Sequence, residues 1–170
     1  FSPQPETGRM DGGLGQFLKG LGDGNFIPIA PKESEIAVKG DARSLAAVDI
    51  DKDGRQDLIF ASNDSEPSIY LTSPNASLIK NDYRNLQIQL KGPTGNPTGI
   101  GSTISLLLPE GKKQTAEIHA GSGYLTQTTA RIYFSLKNEE VATIQVQWPS
   151  GKTSTSQVST GISEVIISSP

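Results

Sequence analysis

The chain has 170 residues, with 18 Gly, 11 Pro, 6% aromatic residues, no Cys, a single His and a formal net charge of −3. That length suffices for one or two small domains with a packed core, and the Gly and Pro content argues for short elements joined by tight turns, against a bundle of long helices. The missing Cys excludes a disulfide framework, a thiolate nucleophile and thiolate-held zinc, the lone His excludes a His-rich metal site, and the weak negative charge gives no footprint for nucleic acid.

In chain order, residues 1–15 (FSPQPETGRMDGGLG) are rich in Pro, Gly and charge and read as a flexible lead-in. The start at Phe1-Ser2-Pro3, with neither Met nor an apolar leader, reads as a mature or truncated piece of something longer. Gln16–Leu21 and Phe26–Ile29 are short strand candidates around the turn Gly22-Asp23-Gly24-Asn25, and Pro31–Gly40 is a polar connection. Leu45–Ile50 and Leu58–Ala61 are strand-like runs separated by an acidic turn, and Ser68–Leu71 offers one more strand. From Leu86 the alternation is plainer: Leu86, Ile88 and Leu90 are separated by Gln87 and Gln89, giving one greasy and one wet face. Thr103–Leu108, Thr115–His119, Arg131–Leu136, Thr143–Trp148 and Glu164–Ser168 repeat the pattern, with Gly- and Pro-bearing breaks between them. Five or six such strands and no credible helix predict an all-β fold, the second half an antiparallel β-sandwich. No apolar run approaches the roughly 20 residues that cross a bilayer, so no membrane span is expected.

Charge divides the chain the same way. Residues 1–84 carry a net −4, residues 85–170 a net +1, and every Asp lies at or before Asp82. The expected organisation is a lead-in over 1–15, one module over 16–84 and a second over 85–170, with the boundary near Asn81–Asn85.

The most informative stretch is Asp49-Ile50-Asp51-Lys52-Asp53-Gly54-Arg55-Gln56-Asp57. Four carboxylates this close repel by about 2–3 kcal/mol per neighbouring pair at an effective dielectric near 20. A chain accepts that when a cation sits among them or when the loop is fully solvated. Asp49, Asp51, Asp53 and Asp57 occupy the first, third, fifth and ninth positions. Gly54 permits a sharp turn, and Arg55 at the seventh can present its backbone carbonyl. Oxygen-only donors in a flexible loop suit Ca²⁺, whereas Mg²⁺ demands a tighter octahedron. A helix–loop–helix calcium hand is excluded, because its twelfth position needs a bidentate Glu and here holds Phe60. The loop is therefore expected to be a β-hairpin turn around Ca²⁺; the alternatives are a solvated acidic turn and, more remotely, catalytic carboxylates. Extracellular calcium modules bind at about 10⁻⁴–10⁻³ M, too weakly for the cytosol, so an exported location (extracellular, cell-surface or periplasmic) is expected.

With these residues in view, Gly40–Val48, the Asp49–Asp57 loop and Leu58–Asn63 resemble the FG-GAP/VCBS repeat, one blade of an integrin alpha-type β-propeller with calcium in its hairpin turn. Leu21–Phe26 is similar to the segment between blades. The resemblance implies Asp49, Asp51, Asp53 and Asp57 as side-chain ligands and the Arg55 carbonyl as a further one. Asn85–Gly92, Asn96, Gly99-Ile100-Gly101, Gly121–Gln127 and Val146–Lys152 resemble the ASPIC/UnbV domain, which commonly follows such repeats in secreted proteins. Two departures are Phe134–Lys137, where the family usually has glycines, and Ser102-Thr103 in place of a more usual Ala-Arg. Neither family brings an enzymatic activity to this chain. A single repeat cannot close a propeller, so upstream repeats of the same full-length chain are implied partners, and some apolar surface should be exposed.

Other candidates carry less. His119 alternates as an outward polar residue, with solitary-His catalysis as the alternative. Trp148 closes the pattern Ile144-x-Val146-x-Trp148 and reads as core or rim packing, with a ligand platform as the other reading. Tyr124, in a Gly-flanked turn, divides evenly between packing and stacking on a sugar or peptide. Asn63-Asp64-Ser65 and Asn75-Ala76-Ser77 fit the glycosylation sequon, and Gly99-Ile100-Gly101 is too little for a phosphate loop. The expected function is a calcium-stabilised, non-enzymatic, adhesion-type module with a protein or glycan partner. A carbohydrate-binding module using Tyr124 or Trp148 is the alternative, and a hydrolase with the acidic loop as its metal site is third.

Overall fold

The computed structural model describes residues 13–73 and 82–170. Residues 1–12 of the lead-in, the Asn75 sequon and Asn81 at the expected boundary lie outside the described residues. Strands β1 (Phe17–Gly20) and β2 (Phe26–Ile29) pair as an antiparallel hairpin. In its turn the Asp23 carboxylate accepts the Asn25 backbone N–H at 2.9 Å and the Asn25 side-chain N–H at 3.0 Å. Those bonds, the backbone one foremost, hold the Asp23 carboxyl below the usual carboxylate range. A single helical turn, α1 (Pro31–Ser34), interrupts the stretch expected to be pure connection; Pro31 presets its first turn and Glu35 ends it at φ 58°.

A second antiparallel sheet follows, in the order β3 (Ala42–Val48), β4 (Asp57–Ser62), β5 (Ser68–Tyr70). Phe60 and Tyr70 meet edge-to-face at 5.6 Å across it. Among the described residues before Thr72, Ile29 and Val38 are the buried apolar side chains, while Phe17, Leu18, Leu21, Phe26, Ile27 and Ile69 are exposed. The described residues form no closed propeller, and this half leaves more apolar side chains exposed than buried.

The second half is a β-sandwich of seven strands: β6 (Tyr83–Lys91), β7 (Thr103–Leu107), β8 (Lys113–Glu117), β9 (Arg131–Lys137), β10 (Ala142–Gln147), β11 (Thr153–Val158) and β12 (Glu164–Ser168). One sheet runs β11-β10-β7-β8 and the other β12-β6-β9. Leu86, Ile88, Leu90 and Leu136 from the second meet Ile104, Leu106, Ile144 and Val146 from the first in one core. Burying each such side chain stabilises the fold by about 1.5–3 kcal/mol.

Three features correct the sequence reading. The sandwich is not wholly antiparallel, because β12 lies parallel to β6. After β11 the chain crosses between sheets, and Arg84 ties that crossing down by donating to the carbonyls of Ser159 and Ile162. Second, β11 was not expected: Thr-Ser-Thr-Ser-Gln-Val has no apolar alternation, and as an edge strand it buries Val158 alone. Third, Gln87 does not sit on a wet face but is 6% exposed. It donates to Glu164 Oε1 at 3.0 Å, so β12 covers it.

Candidate metal centre

The loop Asp49–Gln56 joins β3 to β4, whose last pair is Val48 and Asp57. It is wound by its own acids. Asp49 accepts the N–H groups of Asp53 (3.1 Å) and Gly54 (3.0 Å), and Asp51 accepts that of Asp53 at 3.3 Å. Gly54 stands at φ 84°, a left-handed conformation natural to glycine, and Lys52 at φ 62°. Asp57 is completely buried, its two oxygens accepting the N–H of Ile50 and the N–H of Thr72, each at 2.8 Å.

This winding brings carboxylate oxygens of Asp49, Asp51 and Asp57 within 4.8 Å of one another. Two oxygens on opposite sides of a Ca²⁺ with bonds of about 2.4 Å lie about 4.8 Å apart, so the spacing fits such an ion. Among the described residues no basic side chain pairs with Asp57, and a buried carboxylate whose partners are two backbone N–H groups keeps lone pairs for a cation.

Asp53 lies outside this group. Its carboxylate is held by the Arg55 backbone N–H at 2.8 Å and by the Arg55 guanidinium. The expected contribution of Arg55 is its carbonyl; beyond that, its side chain neutralises Asp53 and donates to the Thr72 carbonyl at 3.1 Å. Thr72, which no motif marked, closes the site from behind. Besides its N–H to Asp57, its hydroxyl donates to the Gln56 carbonyl at 2.6 Å. Nothing local announces that role, since Thr72 reaches Asp57 from 15 residues away.

The loop also touches the sandwich. The Asn85 side chain donates to the Gly54 carbonyl at 3.2 Å, and Thr126 Oγ1 donates to the Leu45 carbonyl at 2.9 Å. Tyr124 and Leu125, beside Thr126, are 66% and 88% exposed. The ligand-platform reading of Trp148 is corrected: the ring is 3% exposed and its Nε1–H donates to Ser154 Oγ at 2.9 Å, so it packs in the core. His119 is outward, with Nδ1 3.5 Å from Glu117 Oε1. Asn96 clamps the Gly99-Ile100-Gly101 turn through two 2.8 Å bonds to the backbone of Ile100, a structural task.

Fold and loop together define an all-β protein in which an acidic hairpin turn packs against a β-sandwich. Residues 92–169 match the ASPIC and UnbV family model, which supports the resemblance drawn for the C-terminal part of the chain. The match begins at Gly92, yet β6, the middle strand of the three-stranded sheet, ends at Lys91, so the folded unit starts earlier than the matched stretch. No FG-GAP or VCBS model matches, and no curated protein matches the chain.

Proposed function

We propose that this chain is a non-enzymatic interaction module of an exported protein, stabilised by Ca²⁺ held between Asp49, Asp51 and Asp57. The observation that carries the reading is the convergence of three carboxylates, one of them fully buried with no basic partner among the described residues. The Arg55 carbonyl and Asp53, the latter paired with the Arg55 side chain here, are the further oxygens the resemblance implies. The resemblance of residues 40–63 to an FG-GAP/VCBS blade supports the same ion and implies upstream repeats of the full-length chain as neighbours. The loop acids are engaged by backbone N–H groups, which suits holding an ion better than moving a proton.

With free calcium at about 1 mM and a dissociation constant near 0.1 mM, binding adds about 1.4 kcal/mol to stability, enough to matter outside the cell. The partner is a protein or a glycan. A second reading, a carbohydrate-binding module accessory to a secreted enzyme, is favoured by Tyr124, an aromatic ring standing free in solvent.

Melting curves of the wild type and Asp51→Ala, each in calcium and in chelator, test the cation. Calcium should raise the wild-type midpoint by roughly 3–6 °C and leave the variant unchanged. Equal midpoints in all four samples would remove the metal from the reading.

A further inference from the structure

The outer face of the β12-β6-β9 sheet is not bare. Together with the wall of the acidic loop it bounds a cleft of about 1350 Å³, larger than the several hundred Å³ that enclose a small molecule and of a size for a short oligomer. Along the floor, cross-strand neighbours Gln87 and Tyr133 share one row with Glu164, and Asn85 and Ser135 share the next. These are planar or hydroxyl-bearing side chains, the kind that pair with sugar hydroxyls and support a sugar ring. Apolar recesses are scarce: of the lining, Val48 and Phe134 are aliphatic or purely hydrocarbon, and Phe134 is buried in the sandwich core.

Charge in the cleft runs against that of the whole chain. Four basic side chains (Lys52, Arg55, Arg84, Arg131) face three acids (Asp49, Asp53, Glu164). The acids are engaged: Asp53 by Arg55, Glu164 by Gln87, and Asp49 by two loop N–H groups. Arg84 is committed to backbone carbonyls. Among the described residues, Lys52 on the loop wall and Arg131 on the sheet floor have no carboxylate partner, Arg131 being hydrogen-bonded to the Tyr133 phenol. Asp49 faces Tyr133 across the opening closely enough that, after burial, its charge is the next cause of the raised pKa of that phenol, which stays a hydrogen-bond donor at neutral pH.

We propose that this cleft binds a carboxylate-bearing oligosaccharide, its hydroxyls read by Asn85, Tyr133 and Ser135 and its carboxylates by Lys52 and Arg131. The proposal gives the interaction-module reading a site and a ligand class. It differs from stacking on Tyr124, which lies outside the cleft lining. The floor belongs to the sandwich and stands independently of the cation. An acidic peptide shares the charge but would find little apolar recess for its side chains.

The test is calorimetric titration of the full chain in calcium with oligogalacturonate, hyaluronan oligosaccharide and oligomannuronate, beside neutral cellohexaose and a poly-glutamate peptide. At least one uronate oligomer should bind, more weakly as salt rises, and at least about tenfold more tightly than cellohexaose. The double variant Lys52→Gln/Arg131→Gln should lose about tenfold or more in affinity with an unchanged melting temperature, while Tyr124→Ala should bind like wild type. Failure of all three uronates to bind, equal binding by poly-glutamate, or full affinity in the double variant would overturn the proposal. A calcium-dependent melting shift alongside any of these would leave the cation site standing and remove the cleft alone.

Discussion

Replacing Asp57 by Asn separates the two tasks of its carboxylate, holding the loop and holding an ion. The side chain is fully buried, and its two oxygens take the N–H groups of Ile50 and Thr72 at 2.8 Å each. Asn keeps the shape but points an NH₂ at one of those donors, leaving a backbone N–H and a side-chain N–H face to face without an acceptor. An unsatisfied buried donor costs about 1–3 kcal/mol, so two facing donors should cost about 2–4 kcal/mol. For a chain of this length that is a fall of roughly 5–15 °C in Tm. Circular-dichroism melts in chelator give the number free of any cation effect. Asp51→Ala in the same chelator gives up only a 3.3 Å contact on an exposed side chain and should melt within about 1–2 °C of wild type. Adding calcium should shift neither variant. An Asp57→Asn protein that melts with wild type in chelator would refute the argument that this carboxylate holds the loop through backbone hydrogen bonds.

Two further outcomes test the fold and the cleft. A Cβ at residue 92 would lie 2.0 Å from the Asn96 backbone carbonyl oxygen, so Gly92→Ala must displace the loop that follows β6; a loss of at least about 2 kcal/mol is expected in denaturant melts, against about 1 kcal/mol for Gly111→Ala, where no atom is near and the left-handed φ of 75° is the whole cost. The Tyr133 phenol is raised above its ordinary value, by burial first and the Asp49 charge second. A raised group keeps its proton longer in the folded state, so its contribution is intact below pH about 10 and is lost as pH climbs through the folded value. In ultraviolet titration Tyr133→Phe should remove a late-ionising phenol and Asp49→Asn should move it earlier; an unchanged curve in Asp49→Asn would place the two groups out of each other's field.

Much of the fold was legible where neighbours in sequence are neighbours in space. The alternation of Leu86, Ile88 and Leu90 marked β6 and its core face, and the same period marked β7, β9, β10 and β12. The acidic hairpin was legible because its spacing is local, with Gly54 supplying the turn. β11 escaped because an edge strand of Thr and Ser buries one side chain and so carries no hydrophobic period. The pairing of Asp53 with Arg55 escaped because composition marks a carboxylate without saying whether a cationic neighbour will claim it.

The sequence by itself determined strand periods, turn positions, the acidic loop and the resemblance of the second half to the ASPIC/UnbV family, all carried by residues close together along the chain. Tertiary structure alone decided that Trp148 packs inward, that β12 enters parallel to β6, that Thr72 closes the site behind Asp57, and that Lys52 and Arg131 face one cleft. Each of these depends on groups far apart along the chain meeting in space, and which groups meet is set by how the sheets stack and cross.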